Sequence, residues 1–152
     1  SHVLRVVREL LYTRPEKKGT SIKVALDYLL KVAKRKSVVF LISDFLDDQY
    51  WSSLKVVNRK HDLIGIKLYD PAEIKLPKLG LAKVEDPETG SAFWIDTSSE
   101  KALKELRNQL ATTQTKFEKE SRSIGFDLIS ISTNEDFVEP LLSLFKMREK
   151  RN

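Results

Sequence analysis

Three carboxylates close the stretch "SVVFLISDFLDD" of residues 37 to 48, where a run of apolar and small residues gives way to Asp44, Asp47 and Asp48. Acids at that junction can do three things: hold a hard cation through oxygen, cap the following helix, or meet water. Mg²⁺ takes one or two carboxylates and keeps several waters, so an acid at a strand tip is apt for it. Asp is also a preferred helix cap, and Asp47 and Asp48 precede a helix expected to begin near Gln49. Asp44, next to the strand, is therefore the ligand candidate, and Asp47 and Asp48 are expected to serve the helix. A second group of interest is Thr20 in "GTSIKVAL", a hydroxyl opening a helix that leads into the Asp44 strand; Thr20 or Ser21 is expected as its N-cap. The nitrogen ligands are His2 and His61 alone, and with no cysteine a thiolate metal site and a disulfide framework are both excluded.

The elements that must position these groups follow from periodicity. Residues 2–12 place Val3, Val6, Val7, Leu10 and Leu11 at helical spacing before "TRPEKKGT" breaks the pattern. Ile22, Ala25, Leu26, Leu29, Leu30 and Ala33 form the stripe of a second helix. Val38 to Ile42 is a continuous β-branched and aromatic run, the pattern of a parallel strand covered on both faces. A helix over Trp51 to Arg59 and a strand "LIGIKL" at 63–68 follow. Strand, helix, strand implies a right-handed crossover, hence an α/β fold: a Rossmann-like parallel sheet in three layers with flanking helices. "LAKVEDPETGSAFWID" alternates on both sides of a turn-rich "DPETG" and predicts a small β-hairpin appendage. A long helix over about 99–123 with Leu103, Leu106, Leu110 and Phe117, a strand "FDLISI", and a last helix from about Glu135 with Phe137, Leu141, Leu144 and Phe145 inward complete the chain. At 152 residues one domain, 1–152, is expected.

In an open sheet of this class the ligand crevice lies beyond the carboxyl ends of the strands, where Asp44 falls. The net charge of +5 is uneven: residues 1–38 carry 10 Lys/Arg against 3 Asp/Glu. "KVAKRK" at a helix end suits the negative pole of the helix dipole, so nucleic-acid binding is not expected. No apolar run has the roughly 20 residues of a membrane span, so a soluble chain is expected, and the lack of cysteine suits a cytoplasmic one. Because "VLRVVRELL" is already a mature amphipathic pattern at residue 3, the chain is expected to be a fragment truncated at the N-terminus.

"GTSIKVALDYLLK", "FLISDF", "HDLIGIKLYDP", "EDPETG" and "STNEDFVEPLLSLFKMR" together make the chain resemble the C-terminal part of the bacterial domain of unknown function 58 family, over nearly its whole length. That family is similar to von Willebrand factor A domains. The resemblance implies a metal-ion-dependent adhesion site in which Thr20 matches the family's threonine and Asp44 its aspartate. The Asp-x-Ser-x-Ser loop of such sites is absent; "DTSSE" at 96–100 has Glu100 in place of the second serine and reads as a helix cap. The implied cation, Mg or Mn, belongs to the full-length parent, and none is expected to be held here by Thr20 and Asp44 alone.

The same resemblance implies a non-enzymatic protein-interaction module, accessory to or chaperone-like beside a MoxR-type AAA+ ATPase. It also implies that strand 38–42 normally pairs with a strand upstream, so that here the edge is either used for self-association or covered by the first helix. The alternative is a Mg-dependent phosphatase or phosphotransferase using Asp44 and Asp48. Against that reading, the chain has no glycine-rich phosphate loop, and His61 stands at the strand end opposite the crevice.

Overall fold

The computed structural model describes residues 2–13, 19–47, 49–71, 79–85 and 91–150. In chain order the elements are α1 (His2–Tyr12), α2 (Ile22–Val32), β1 (Val38–Ser43), α3 (Trp51–Lys60), β2 (Asp62–Tyr69), β3 (Leu81–Glu85), β4 (Ala92–Asp96), α4 (Glu100–Ile124), β5 (Asp127–Ser132) and α5 (Val138–Glu149). β1, β2 and β5 form a parallel sheet in that order, and β3 pairs with β4 antiparallel. The mixed α/β layout is thus the expected one, hairpin included; the "DPETG" turn lies outside the described residues.

Register explains how the sheet is packed. Leu41, Gly65 and Leu128 stand side by side across the three strands. Successive side chains along a strand point to opposite faces. On one face Val39, Leu41, Leu63, Phe126 and Leu128 meet Ile22 and Leu26 of α2, Leu54 and Val57 of α3, and Phe117 of α4 in the main core. Burying each Leu, Val or Phe there stabilises the fold by about 1.5–3 kcal/mol. Gly65 lies where the Phe126 ring crosses β2; a Cβ on it would fall 2.3 Å from Phe126 Cζ.

The turn that delivers Phe126 is set by its glycine. Gly125, at φ +64, ends α4 in the left-handed region, and Phe126 N–H donates back to Ser121 O at 3.2 Å. This six-to-one bond closes a Schellman cap, which glycine adopts without a Cβ penalty. Asn58 Nδ2 of α3 donates to Ile124 O at 3.0 Å and fixes the same corner. At the other end of α4, Ser99 Oγ accepts from Ala102 N–H at 3.3 Å, so "DTSSE" does open a helix.

The opposite face is covered by α5. Leu144 is buried, and Arg148 donates to both Asp127 and Asp62, fastening the helix to the starts of β5 and β2. The last helix departs from expectation in two ways. It begins at Val138, and of the four residues expected inward only Leu144 is buried, with Phe137 and Phe145 exposed. One short helix lying on one edge of a three-stranded sheet can bury only a narrow stripe. Val38, Phe40 and Ile42 of β1 project toward this face and remain 47–59 % exposed.

α1 forms over the expected residues, but its apolar stripe is not part of the core: Val3, Val6, Val7, Leu10 and Leu11 are all exposed. It does not cover β1, so that of the two outcomes expected for the strand edge, the covering helix is not seen. Helical spacing shows which side of a helix is apolar, not what will lie against it.

Candidate functional site

Asp44 follows β1 directly, at the carboxyl end of the sheet. Its Oδ1 accepts from the backbone N–H of Leu46 at 3.1 Å and from Ser43 Oγ–H at 3.3 Å. The next residue, Phe45, has φ +60, a left-handed conformation that costs a non-glycine residue about 1–2 kcal/mol. Burial supplies the compensation. The Phe45 ring is 6 % exposed and packs against Phe117, Tyr50 and Phe126 at centroid distances of 5.2, 5.9 and 6.3 Å. Driving that ring into the core forces the chain to reverse at the strand end, and the reversal leaves Asp44 half-buried at the rim.

Asp47 does something other than cap the helix that follows it. Its Oδ2 accepts from Ile22 N–H, the first residue of α2, at 3.0 Å, and its Oδ1 from Gln49 N–H at 3.0 Å. It satisfies an N-terminal donor of a helix twenty-five residues away. α3 instead starts from Tyr50, with no side-chain cap, because the fully buried Tyr50 ring dictates where the chain enters the helix. Ser21 is the N-cap of α2, accepting from Val24 N–H at 3.4 Å. Thr20 is exposed in the loop just ahead of it. The Asp47–Ile22 bond therefore ties the Thr20 loop to the Asp44 loop, placing the two groups named from sequence on adjoining segments. Asp48 lies outside the described residues.

Beside Asp44 opens a crevice of about 500 Å³ between the ends of β1, β2 and β5 and the middle of α4, with Leu46, Lys67, Tyr69, Arg107 and Gln114 among its walls. Lys67 Nζ donates to Gln114 Oε1 at 2.5 Å and lies 4.7 Å from the centre of the Phe117 ring. Cation–π and hydrogen-bond contacts of this kind hold an ammonium at the mouth of an otherwise apolar pocket. Sequence reading missed Lys67, Arg107 and Gln114. For Lys67 a signal was present, since a single cation interrupts the apolar "LIGIKLY"; nothing local marked the other two.

Of the two residues that the resemblance names for a cation site, Asp44 brings a carboxylate to this end of the sheet and Thr20 a hydroxyl on the adjoining loop. Two protein oxygens leave most of a Mg²⁺ shell to be filled by water or by further groups. Among the described residues no group of three or more His, Cys, Asp or Glu side chains is placed to hold a metal. His61 lies at the start of β2, remote from the crevice, 2 % exposed and with neither ring nitrogen hydrogen-bonded among the described residues. No described helix is long and apolar enough to cross a membrane.

Residues 1–118 match the family described as "Protein of unknown function DUF58". An uncharacterized protein of Mycobacterium avium is 28% identical over 133 residues, covering 83% of this chain and 75% of its own length. Uncharacterized proteins of Mycobacterium bovis and Mycobacterium tuberculosis are each 27% identical over 131 residues, which is 84% of this chain and 40% of theirs. The chain thus spans less than half the length of these last two relatives. No solved structure matches it.

Proposed function

The chain belongs to the family described as Protein of unknown function DUF58, and we propose that it is a non-enzymatic protein-interaction module. Its recognition surface is the carboxyl end of the parallel sheet, with Asp44 at its centre. One observation carries the reading: Asp44 is held in a defined orientation by Leu46 N–H and Ser43 Oγ–H, on a loop pinned to the Thr20 segment by the Asp47–Ile22 bond. A preorganised acid at the rim of a crevice suits recognition better than a mobile one, since the ordering cost is met before the partner arrives.

In the fuller reading, Asp44 and Thr20 contribute to a Mg or Mn site completed by groups outside those described, and the partner is a MoxR-type AAA+ ATPase in a bacterial cytoplasm. The test is titration calorimetry of the longer parent with Mn²⁺ and with a purified ATPase of that type. Asp44→Ala is expected to abolish both heats while circular dichroism stays unchanged. Undiminished binding by the variant would remove Asp44 from the site.

The second reading, a Mg-dependent phosphatase or phosphotransferase, is favoured by Lys67 and Arg107, two cations on the walls of the same crevice as Asp44. Asp44-dependent hydrolysis of phosphate esters by the parent would put this reading first.

A further inference from the structure

Charge is unevenly shared along residues 22–61, which carry eight Lys/Arg and four Asp/Glu. Three of the acids, Asp44, Asp47 and Asp48, follow β1 in the chain; the fourth, Asp27, already accepts from Lys23 Nζ and Ser53 Oγ–H. The cations gather elsewhere. Lys31, Lys34, Arg35 and Lys36 close α2, Arg59 and Lys60 close α3, and all six are exposed. Lys60 Nζ donates to Leu30 O at 3.4 Å, so the two helix ends lie side by side. That bond, together with the attraction of a cation for the carboxyl pole of each helix, accounts for about one or two of the six. The remainder form a basic surface assembled from two separate stretches of sequence.

Apolar side chains share that surface. α2 turns Ile22 and Leu26 to the core, which leaves Val24, Tyr28 and Val32 outside at successive turns, 67, 65 and 53 % exposed. α3 turns Leu54 and Val57 inward and leaves Val56 exposed next to Lys55, one turn before Arg59 and Lys60. Aliphatic groups and a tyrosine rimmed by lysine suit the boundary of a lipid leaflet, where the apolar parts enter and the ammonium groups stay among the headgroups. Two features favour a lipid surface over a nucleic acid or an acidic protein. α2 and α3 end here, so the backbone presents carbonyls, and a single phosphate finds none of the N–H groups that a helix N-terminus would offer it. Four of the six cations are lysine, a compact charge on a flexible stem, which suits a fluid layer of anions better than the fixed fork by which arginine grips one phosphate or carboxylate.

We propose that the outer face of α2 and α3 docks the chain on an anionic lipid surface, with the cations over the headgroups and Tyr28, Val32 and Val56 in the interface. The densest charge, Lys34 to Lys36 with Arg59 and Lys60, lies at the amino ends of β1 and β2, opposite Asp44. A docked chain therefore keeps the Asp44 crevice clear. The inference stands apart from any metal or partner at Asp44, and its probes leave that residue untouched.

Cosedimentation with vesicles tests this. The chain is expected to bind vesicles of phosphatidylglycerol and phosphatidylcholine mixed at about 1:2 and to ignore pure phosphatidylcholine. Binding is expected to weaken as salt rises, since exposed charges are screened over about 10 Å at 0.1 M. Each cation near such a surface contributes about fivefold to affinity, so Lys34→Gln with Lys36→Gln should weaken binding about thirtyfold. Lys101→Gln with Lys104→Gln removes the same charge from exposed positions of α4 and should leave binding unchanged. Tyr28→Ser with Val32→Ser, which keeps every charge, should also weaken vesicle binding. All these positions are exposed, and circular dichroism checks that each variant folds. No binding to the anionic vesicles, equal binding to both vesicle types, an equal loss from the α4 pair, or no loss from Tyr28→Ser with Val32→Ser would each overturn the proposal. So would tighter binding to a DNA duplex or to polyglutamate than to the vesicles, which would assign the face to a nucleic acid or to an acidic protein.

Discussion

Replacing Gly65 by alanine is the sharpest test of how the sheet is packed. The added Cβ would lie 2.3 Å from Phe126 Cζ and 2.8 Å from Leu128 Cδ1, where carbon atoms rest comfortably at about 3.5–4.0 Å. The Phe126 ring would have to retreat by more than an ångström, and it has little room, being 7 % exposed with Phe45 on one side. Overpacking of this kind costs about 1–3 kcal/mol. Removing a glycine from a strand returns about 0.5–1 kcal/mol, leaving a net loss of about 1 kcal/mol at the centre of the two ranges. With a urea slope of about 2 kcal/mol/M, the unfolding midpoint should fall by about 0.5 M. Adding Phe126→Leu, whose shorter side chain clears the new methyl, should recover part of that loss, giving a coupling of about 1 kcal/mol in a double-mutant cycle. An unchanged midpoint for Gly65→Ala, or additive losses in the double variant, would refute the packing argument.

Two further outcomes follow from polar ties between elements. Arg148→Ala should destabilise the fold by about 2–3 kcal/mol, since it removes the charge-assisted bonds to Asp62 and to the largely buried Asp127; a thermal melt within a degree of the unmodified protein would count against it. Asp27 of α2 accepts from Lys23 Nζ at 2.7 Å and from Ser53 Oγ–H of α3 at 2.6 Å, and these bonds, the Lys23 one foremost, hold its carboxyl below the ordinary aspartate range. A lowered folded pKa means the Asp27 contribution is complete above the unfolded aspartate value, about 3.9, and is lost as pH falls from there through the folded value. In Ser53→Ala the NMR titration midpoint of Asp27 should rise toward the ordinary range; an unmoved midpoint would exclude the Ser53 bond as a cause.

How much of this was legible in the sequence varied with how local the cause was. The α2 stripe, the continuous apolar run of β1 and the "LIGIKL" strand are carried by adjacent residues, and each formed where periodicity placed it. Ser21 and Ser99 are caps that act within one turn, and both could be read. Asp47 could not, because its partner is the start of a helix that precedes it in the chain, and only packing of α2 beside the β1 exit brings Ile22 N–H to it. The same holds for the crevice. Asp44 is marked by its position at a strand end, whereas Arg107 and Gln114 become site residues only because α4 lies across the ends of β1 and β2. The exposed stripes of α1 and α5 show the converse: amphipathic spacing was plain, but burial depends on whether another surface is present.

The order in which the strands meet has a consequence for how the fold assembles. β1 and β2 are joined by a single helix, whereas β5 reaches β2 only after the hairpin and the whole of α4 have been traversed. Closing the longer loop carries the greater entropic cost, so pairing within residues 22–69 is favoured to come first and docking of β5 afterwards. The Schellman turn at Gly125 then acts at the moment of docking, aiming Phe126 at the gap over Gly65. Disturbing that contact should show up mainly as faster unfolding, with the rate of folding little altered.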